Sequence, residues 1–131
     1  MNEWIKNKAI VGVGCLSAPG YEVAKLFIEA GYKLTIWENL KEEYWWKSNG
    51  QTLRDHNSLF GSDYIILDCD FTDTSEIKRS FEITQASMGT PDIIINGIVD
   101  VSLSNMVVEF LKNLLTRYKK EVIIIDVRRM Q

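Results

Sequence analysis

The sequence predicts a three-layer α/β sandwich built on a parallel sheet of five strands in the order 3-2-1-4-5. Three observations carry this. Five short runs rich in Ile, Val and aromatic residues recur along the chain: Ala9–Val13, Lys33–Trp37, Tyr64–Leu67, Asp92–Ile95 and Glu121–Val127. Most are apolar on consecutive positions instead of alternating, the pattern of strands covered on both faces. Segments with helical periodicity separate them, and strand–helix alternation of this kind builds parallel sheets through right-handed crossovers. With 131 residues, 46% of them hydrophobic and 25% charged, the chain is expected to form one domain over 1–131.

Each element has its own signals. The first strand opens into a turn of small residues ending at Gly20, and a helix follows. That helix carries Val23, Ala24, Leu26, Phe27 and Ala30 on one broad arc, with Glu22, Lys25 and Glu29 opposite and Gly31 as its stop. The connection from Asn39 to Asp63 is the least regular: Leu40 to Lys47 and Gln51 to Phe60 read as short helices around the turn Ser48-Asn49-Gly50. The next helix starts near Asp73-Thr74-Ser75-Glu76, where short polar side chains meet the first backbone N–H groups. It buries Ile77, Phe81, Thr84 and Met88 and ends at Gly89-Thr90-Pro91. The last helix runs from about Leu103 to Tyr118, with Lys119-Lys120 suited to its negative C-terminal end.

Several function classes are disfavoured. A net charge of −3 gives no nucleic-acid footprint. No apolar run approaches a membrane span, and Met1 to Lys6 does not read as a signal peptide, so a cytoplasmic location is expected. Cys15 and Cys69 belong to no Cys/His cluster and read as free thiols, and no metal site is expected. His56, the only histidine, sits in a polar connection and reads as a solvated loop residue. Tyr21 and Lys25 stand at Tyr-x-x-x-Lys spacing, but inside the first helix, where they are discounted as catalysts.

The turn Gly12-Val13-Gly14-Cys15-Leu16-Ser17-Ala18-Pro19-Gly20 is the stretch richest in chemistry. A pyrophosphate held on a helix N-terminus needs backbone that comes close, hence small residues. Any tight strand-to-helix turn also favours glycine, so the turn alone is ambiguous. The second strand ends at Glu38, 18 positions past Gly20, near the spacing at which an acid meets the ribose of NAD. A carboxylate there also repels the extra phosphate of NADP. The third strand ends in Asp68-Cys69-Asp70-Phe71-Thr72-Asp73, and carboxylates at strand ends face the crevice where ligands bind. Thr72 and Asp73 read more simply as helix-capping residues.

At these residues the chain resembles the short-chain dehydrogenase/reductase family, over most of its length from Lys8 to about Asp126. The family's glycine motif T-G-x-x-x-G-x-G falls on Val13-Gly14-Cys15-Leu16-Ser17-Ala18-Pro19-Gly20. Its second-strand acid falls on Glu38, its D-V-T-D-like segment on Asp70-Phe71-Thr72-Asp73, and its N-N-A-G motif on Asn96-Gly97-Ile98-Val99. The resemblance implies a Rossmann-like fold and a nicotinamide dinucleotide, NAD rather than NADP. It places pyrophosphate on Gly14, Ser17, Ala18, Pro19 and Gly20, the adenosine ribose on Glu38, and adenine at Asp70 and Phe71. Asn96 and Gly97 would line the crevice. It also implies a homodimer through the helix Leu103–Tyr118, whose Met106, Val107, Val108, Phe110, Leu111, Leu114, Leu115 and Tyr118 span about 200° of the helix surface.

The chain also departs from the pattern. Val13 replaces the leading threonine, and Ala18 replaces a glycine. Pro19 removes an N–H from the cradle. Ile98-Val99 replaces Ala-Gly, and Val127-Arg128-Arg129 stands where the family's catalytic serine follows the fifth strand. The Tyr-x-x-x-Lys pair would fall beyond Gln131. The expectation is therefore an NAD-binding domain of dehydrogenase ancestry without intrinsic catalysis and with no assigned substrate. Its rivals are an interaction protein with a decayed nucleotide site, using the last helix and Tyr44-Trp45-Trp46 for partners, and an oxidoreductase completed by another chain.

Overall fold

The computed structural model describes residues 8–16, 19–41, 64–118 and 121–127. Within them run β1 (Ile10–Val13), α1 (Gly20–Glu29), β2 (Leu34–Glu38), β3 (Tyr64–Asp68), α2 (Thr74–Met88), β4 (Ile93–Asn96), α3 (Val101–Thr116) and β5 (Ile123–Asp126). The five strands form one parallel sheet in the order β3-β2-β1-β4-β5, as the alternation predicts. The expected helices around Ser48-Asn49-Gly50, the cluster Tyr44-Trp45-Trp46, His56, the pair Lys119-Lys120 and the pair Arg128-Arg129 lie outside the described residues.

Strand β1 is central, with Ile10 in register with both Leu34 and Ile93. Its side chains alternate between two cores because successive strand residues point to opposite faces. Ile10 packs with Leu34, Ile36, Ile95, Ala24 and Ile28 beneath α1. Val11 and Val13 pack with Trp37, Ile94, Phe81, Val107 and Leu111 beneath α2 and α3. This two-sided burial is why the central strands read as continuous apolar runs. The edge strands are less covered: Ile65 of β3 is 38% exposed and Ile123 of β5 is 55% exposed.

Two boundaries and one face differ from the sequence reading. Helix α3 starts at Val101, two residues before Leu103, because Asp100 is its N-cap and accepts a hydrogen bond from the Leu103 N–H. It ends at Thr116, with Tyr118 beyond it. In α1 the buried residues are Tyr21, Ala24 and Ile28, whereas Leu26 is 65% exposed. At 100° per residue, Leu26 lies about 160° from Ala24, so the arc that includes it is too broad. Helix α2 keeps its expected Asp73 cap, which accepts from the Ser75 N–H, and buries Ile77, Ser80, Phe81 and Thr84. Thr72 is not part of that cap; its hydroxyl donates to Asp70.

Among the described residues Trp37 is the largest fully buried side chain, and its polar atom is satisfied inside the core. Its Nε1–H donates to Thr84 Oγ1 at 3.1 Å, and the Thr84 hydroxyl donates to the Ser80 carbonyl at 2.8 Å. Thr84→Val keeps the side-chain shape and removes the acceptor from a buried indole. The expected loss is about 1–3 kcal/mol, read from the urea unfolding midpoint, and an unchanged midpoint would show that the indole finds another acceptor.

Candidate functional site

The candidate site lies at the carboxyl ends of β1, β2 and β4, where ligands bind in open parallel sheets. Gly14 leaves β1 at φ +67°, a left-handed conformation that glycine adopts without strain. Its N–H donates to the Trp37 carbonyl at 2.8 Å, and the Gly97 N–H donates to the Val13 carbonyl at 2.9 Å. The turn is thus tied to β2 and β4 together.

Glycine is required here by contact between backbones. A Cβ on Gly97 would stand 2.8 Å from Gly20 Cα and 2.9 Å from the Gly14 carbonyl oxygen. A Cβ on Gly20 would stand 3.0 Å from Gly97 Cα and from Cys15 Sγ. Gly12 has the same relation to Cys15, whose Sγ would lie 2.9 Å away. These glycines let the first turn of α1 sit directly on the end of β4. Cys15 is buried between them, with its thiol 3.6 Å from the Val13 and Ile95 carbonyl oxygens. Burial, and then the Glu38 carboxylate, push that thiol far above the ordinary range, so it is a packing residue. Burial likewise pushes Cys69 up to about 11.

The helix start differs from its neighbours. Asp73 and Asp100 cap α2 and α3 with carboxylates, whereas the N-cap of α1 is Pro19, which has no side-chain acceptor. The positive end of α1 is therefore not met by its own cap, the arrangement in which an anion is favoured. Ser17 and Ala18, both expected on the pyrophosphate, lie outside the described residues.

Glu38 is 6% exposed. It shares a face of β2 with Leu34 and Ile36, the face that α1 covers, so its side chain reaches the turn before that helix. Its Oε1 accepts from the Leu16 N–H at 3.1 Å and its Oε2 from the Asn39 N–H at 3.3 Å. Sequence spacing missed the bond to Leu16, although the alternation Leu34, Ile36, Glu38 carries the signal.

Asp70 lies at the surface beyond β3. Its Oδ1 accepts from both the Thr72 hydroxyl, at 2.7 Å, and the Thr72 N–H, at 3.0 Å. These bonds hold its carboxyl below the usual range. Phe71 is 5% exposed in the core beneath α2, so it would meet a ligand through its backbone. Asn96 is 2% exposed: its amide donates to Ser104 Oγ at 2.7 Å and its oxygen accepts from the Ile98 N–H. Asn96 also lines a groove of about 350 Å³ with Ser104, Asn105, Lys112 and Asp126. Ile98 is turned into the core, while Val99 is 61% exposed. Among the described residues there is no group of three or more His, Cys, Asp or Glu able to hold a metal ion, and no helix is long and apolar enough to cross a membrane.

The fold is shared with dehydrogenases, reductases and oxidoreductases of known structure. A short-chain type dehydrogenase/reductase from Mycobacterium marinum superposes with a TM-score of 0.70 at 15% identity, over 95% of this chain and 58% of that one. An NADPH-dependent 3-quinuclidinone reductase from Rhodotorula rubra gives 0.56 at 19% identity, over 69% and 32%. A structure with bound NAD, described as a D-mannonate oxidoreductase from Haemophilus influenza, gives 0.56 at 15% identity, over 70% and 30%. The chain thus spans little more than half the length of the first and about a third of the others. At such identities the likeness is one of fold. No family model matches the sequence, and no curated protein matches it.

Gly97→Ala forces the first turn of α1 away from the end of β4. The expected cost is about 1–3 kcal/mol of stability in urea unfolding, and a variant as stable as the parent would show that the two backbones separate freely.

Proposed function

We propose that residues 1–131 form a single dinucleotide-binding domain of short-chain dehydrogenase/reductase type that holds NAD. The observation that carries this reading is the start of α1: a helix N-terminus without an acceptor in its own cap, seated on β4 through Gly14, Gly20 and Gly97. Backbone N–H groups of the turn between Gly14 and Gly20 are the pyrophosphate side of the site, to which the resemblance also assigns Ser17, Ala18 and Pro19. Glu38, Asp70 and the Phe71 backbone are its adenosine side, and Asn96 with Gly97 closes the crevice. The Glu38 carboxylate at the end of β2 disfavours a 2′-phosphate, which supports NAD over NADP. The resemblance to NAD(P)-dependent solved structures supports a nicotinamide dinucleotide as the class of ligand.

When bound, nicotinamide supplies hydride transfer. The chain's own residues bind and orient; in this reading they do not catalyse, because Val127-Arg128-Arg129 stands where the family's serine follows the fifth strand. The domain works in the cytoplasm in this reading. It also pairs with a second copy through α3, whose Leu103, Met106, Val108 and Phe110 are only partly buried beside Val101, 62% exposed.

Calorimetric titration is expected to show NAD binding more tightly than NADP. No binding of either at millimolar concentration would leave the rival reading, an interaction protein on a dehydrogenase fold, and tighter binding of NADP would remove the role of Glu38 in selectivity. Light scattering is expected to give twice the mass of one chain, and a monomer mass at working concentration would remove the α3 interface.

A further inference from the structure

We propose that Glu38 is a positioning residue for the phosphate-binding turn, and that it acts on pyrophosphate binding through the Leu16 N–H and not only through a ribose hydroxyl. This rests on the nucleotide-binding reading above. Gly14 stands in a left-handed conformation, and Pro19 contributes no N–H. The Gly14 and Gly97 N–H bonds fix the turn where it leaves the sheet. Leu16 lies in the middle of the turn, fully buried, and its N–H is met at 3.1 Å by a carboxylate from a different strand.

The second carboxylate oxygen accepts from Asn39, the next residue along, so the side chain is held from both ends. An amide buried in the turn and bonded to a side chain 22 residues away makes the shape of the turn depend on β2. Removing the carboxylate takes that acceptor from a buried N–H and loosens the tie between the turn and β2. A pyrophosphate read by the backbone of this turn then loses its donors' alignment, whatever sugar it carries. Glutamine at the same position keeps a carbonyl oxygen for the Leu16 N–H, gives up the acceptor that meets the Asn39 N–H, and removes the negative charge.

The two ways in which Glu38 can act separate with ligands that differ in the ribose. Full-length Glu38→Ala and Glu38→Gln variants would be titrated with ADP and with 2′,3′-dideoxy-ADP, and exchange of the Leu16 amide followed by NMR. A turn-positioning role predicts that Glu38→Ala weakens both ligands by a similar factor, about tenfold, and speeds Leu16 exchange at least as much. It also predicts that Glu38→Gln binds both ligands about as well as the parent and keeps the Leu16 amide protected. If either variant weakens ADP and leaves dideoxy-ADP unchanged, Glu38 acts through the ribose alone and the proposal is overturned. Unchanged Leu16 exchange in Glu38→Ala overturns it as well. If Glu38→Ala does not fold, Glu38→Gln decides alone: weaker binding of both ligands with the Leu16 amide still protected would separate binding from the turn and overturn the proposal, whereas loss of affinity and of Leu16 protection together would support it. If the parent protein binds neither ligand, the dinucleotide reading fails, while the Leu16 exchange still reports whether Glu38 holds the turn.

Discussion

The constraint on which the rest of the structure depends is the contact of backbone on backbone at Gly14, Gly20 and Gly97. A β1–turn–α1 unit can start its helix at many angles. Here the helix begins so close to the end of β4 that neither chain tolerates a Cβ. That closeness sets where α1 lies on the sheet and which side chains reach its face. It therefore also decides which core Cys15, Tyr21 and Ala24 enter. Hydrophobic burial supplies most of the stabilisation of such a domain, but it is not directional. The direction comes from these glycines and from the hydrogen bonds that run from the turn into β2 and β4.

The same geometry explains why a motif reading alone is ambiguous. Glycines in this turn admit a pyrophosphate, and they also admit the end of β4. The structure satisfies the second requirement with protein atoms only. The dinucleotide reading then leans on what packing does not need: the proline cap on α1 in a protein whose other described helices are capped by aspartates. The positive end of α1 is left without an acceptor in its own cap, an arrangement that favours an anion.

Much of the fold was legible in the sequence because the signals were local and repeated. Strand β4 reads Ile93-Ile94-Ile95, a continuous apolar run that fits its burial on both faces. Asp73 followed by Thr74-Ser75-Glu76 marks the start of α2 within a residue. What escaped was set by tertiary context. The start of α3 was misplaced because Asp100 caps it from within Val99-Asp100-Val101, a stretch with no periodicity of its own. Leu26 was assigned to the core because apolar character was read without its angle. The roles of Glu38 and Phe71 were incomplete for a related reason. Spacing along the chain places a residue near a crevice, but strand alternation decides which way its side chain turns.

Cys15 also has a consequence for how this protein can change over generations. Its sulfur fills the space that a methyl group on Gly12 or Gly20 would need, and Gly97 closes the same space from the other side. Position 12 can grow only if residue 15 shrinks, whereas positions 20 and 97 also meet backbone. Drift at position 12 is therefore tied to a smaller residue at 15, while positions 20 and 97 change only if the contact of α1 with β4 itself opens. Descendants of this chain should carry these positions as a linked set, inherited together whatever the turn binds.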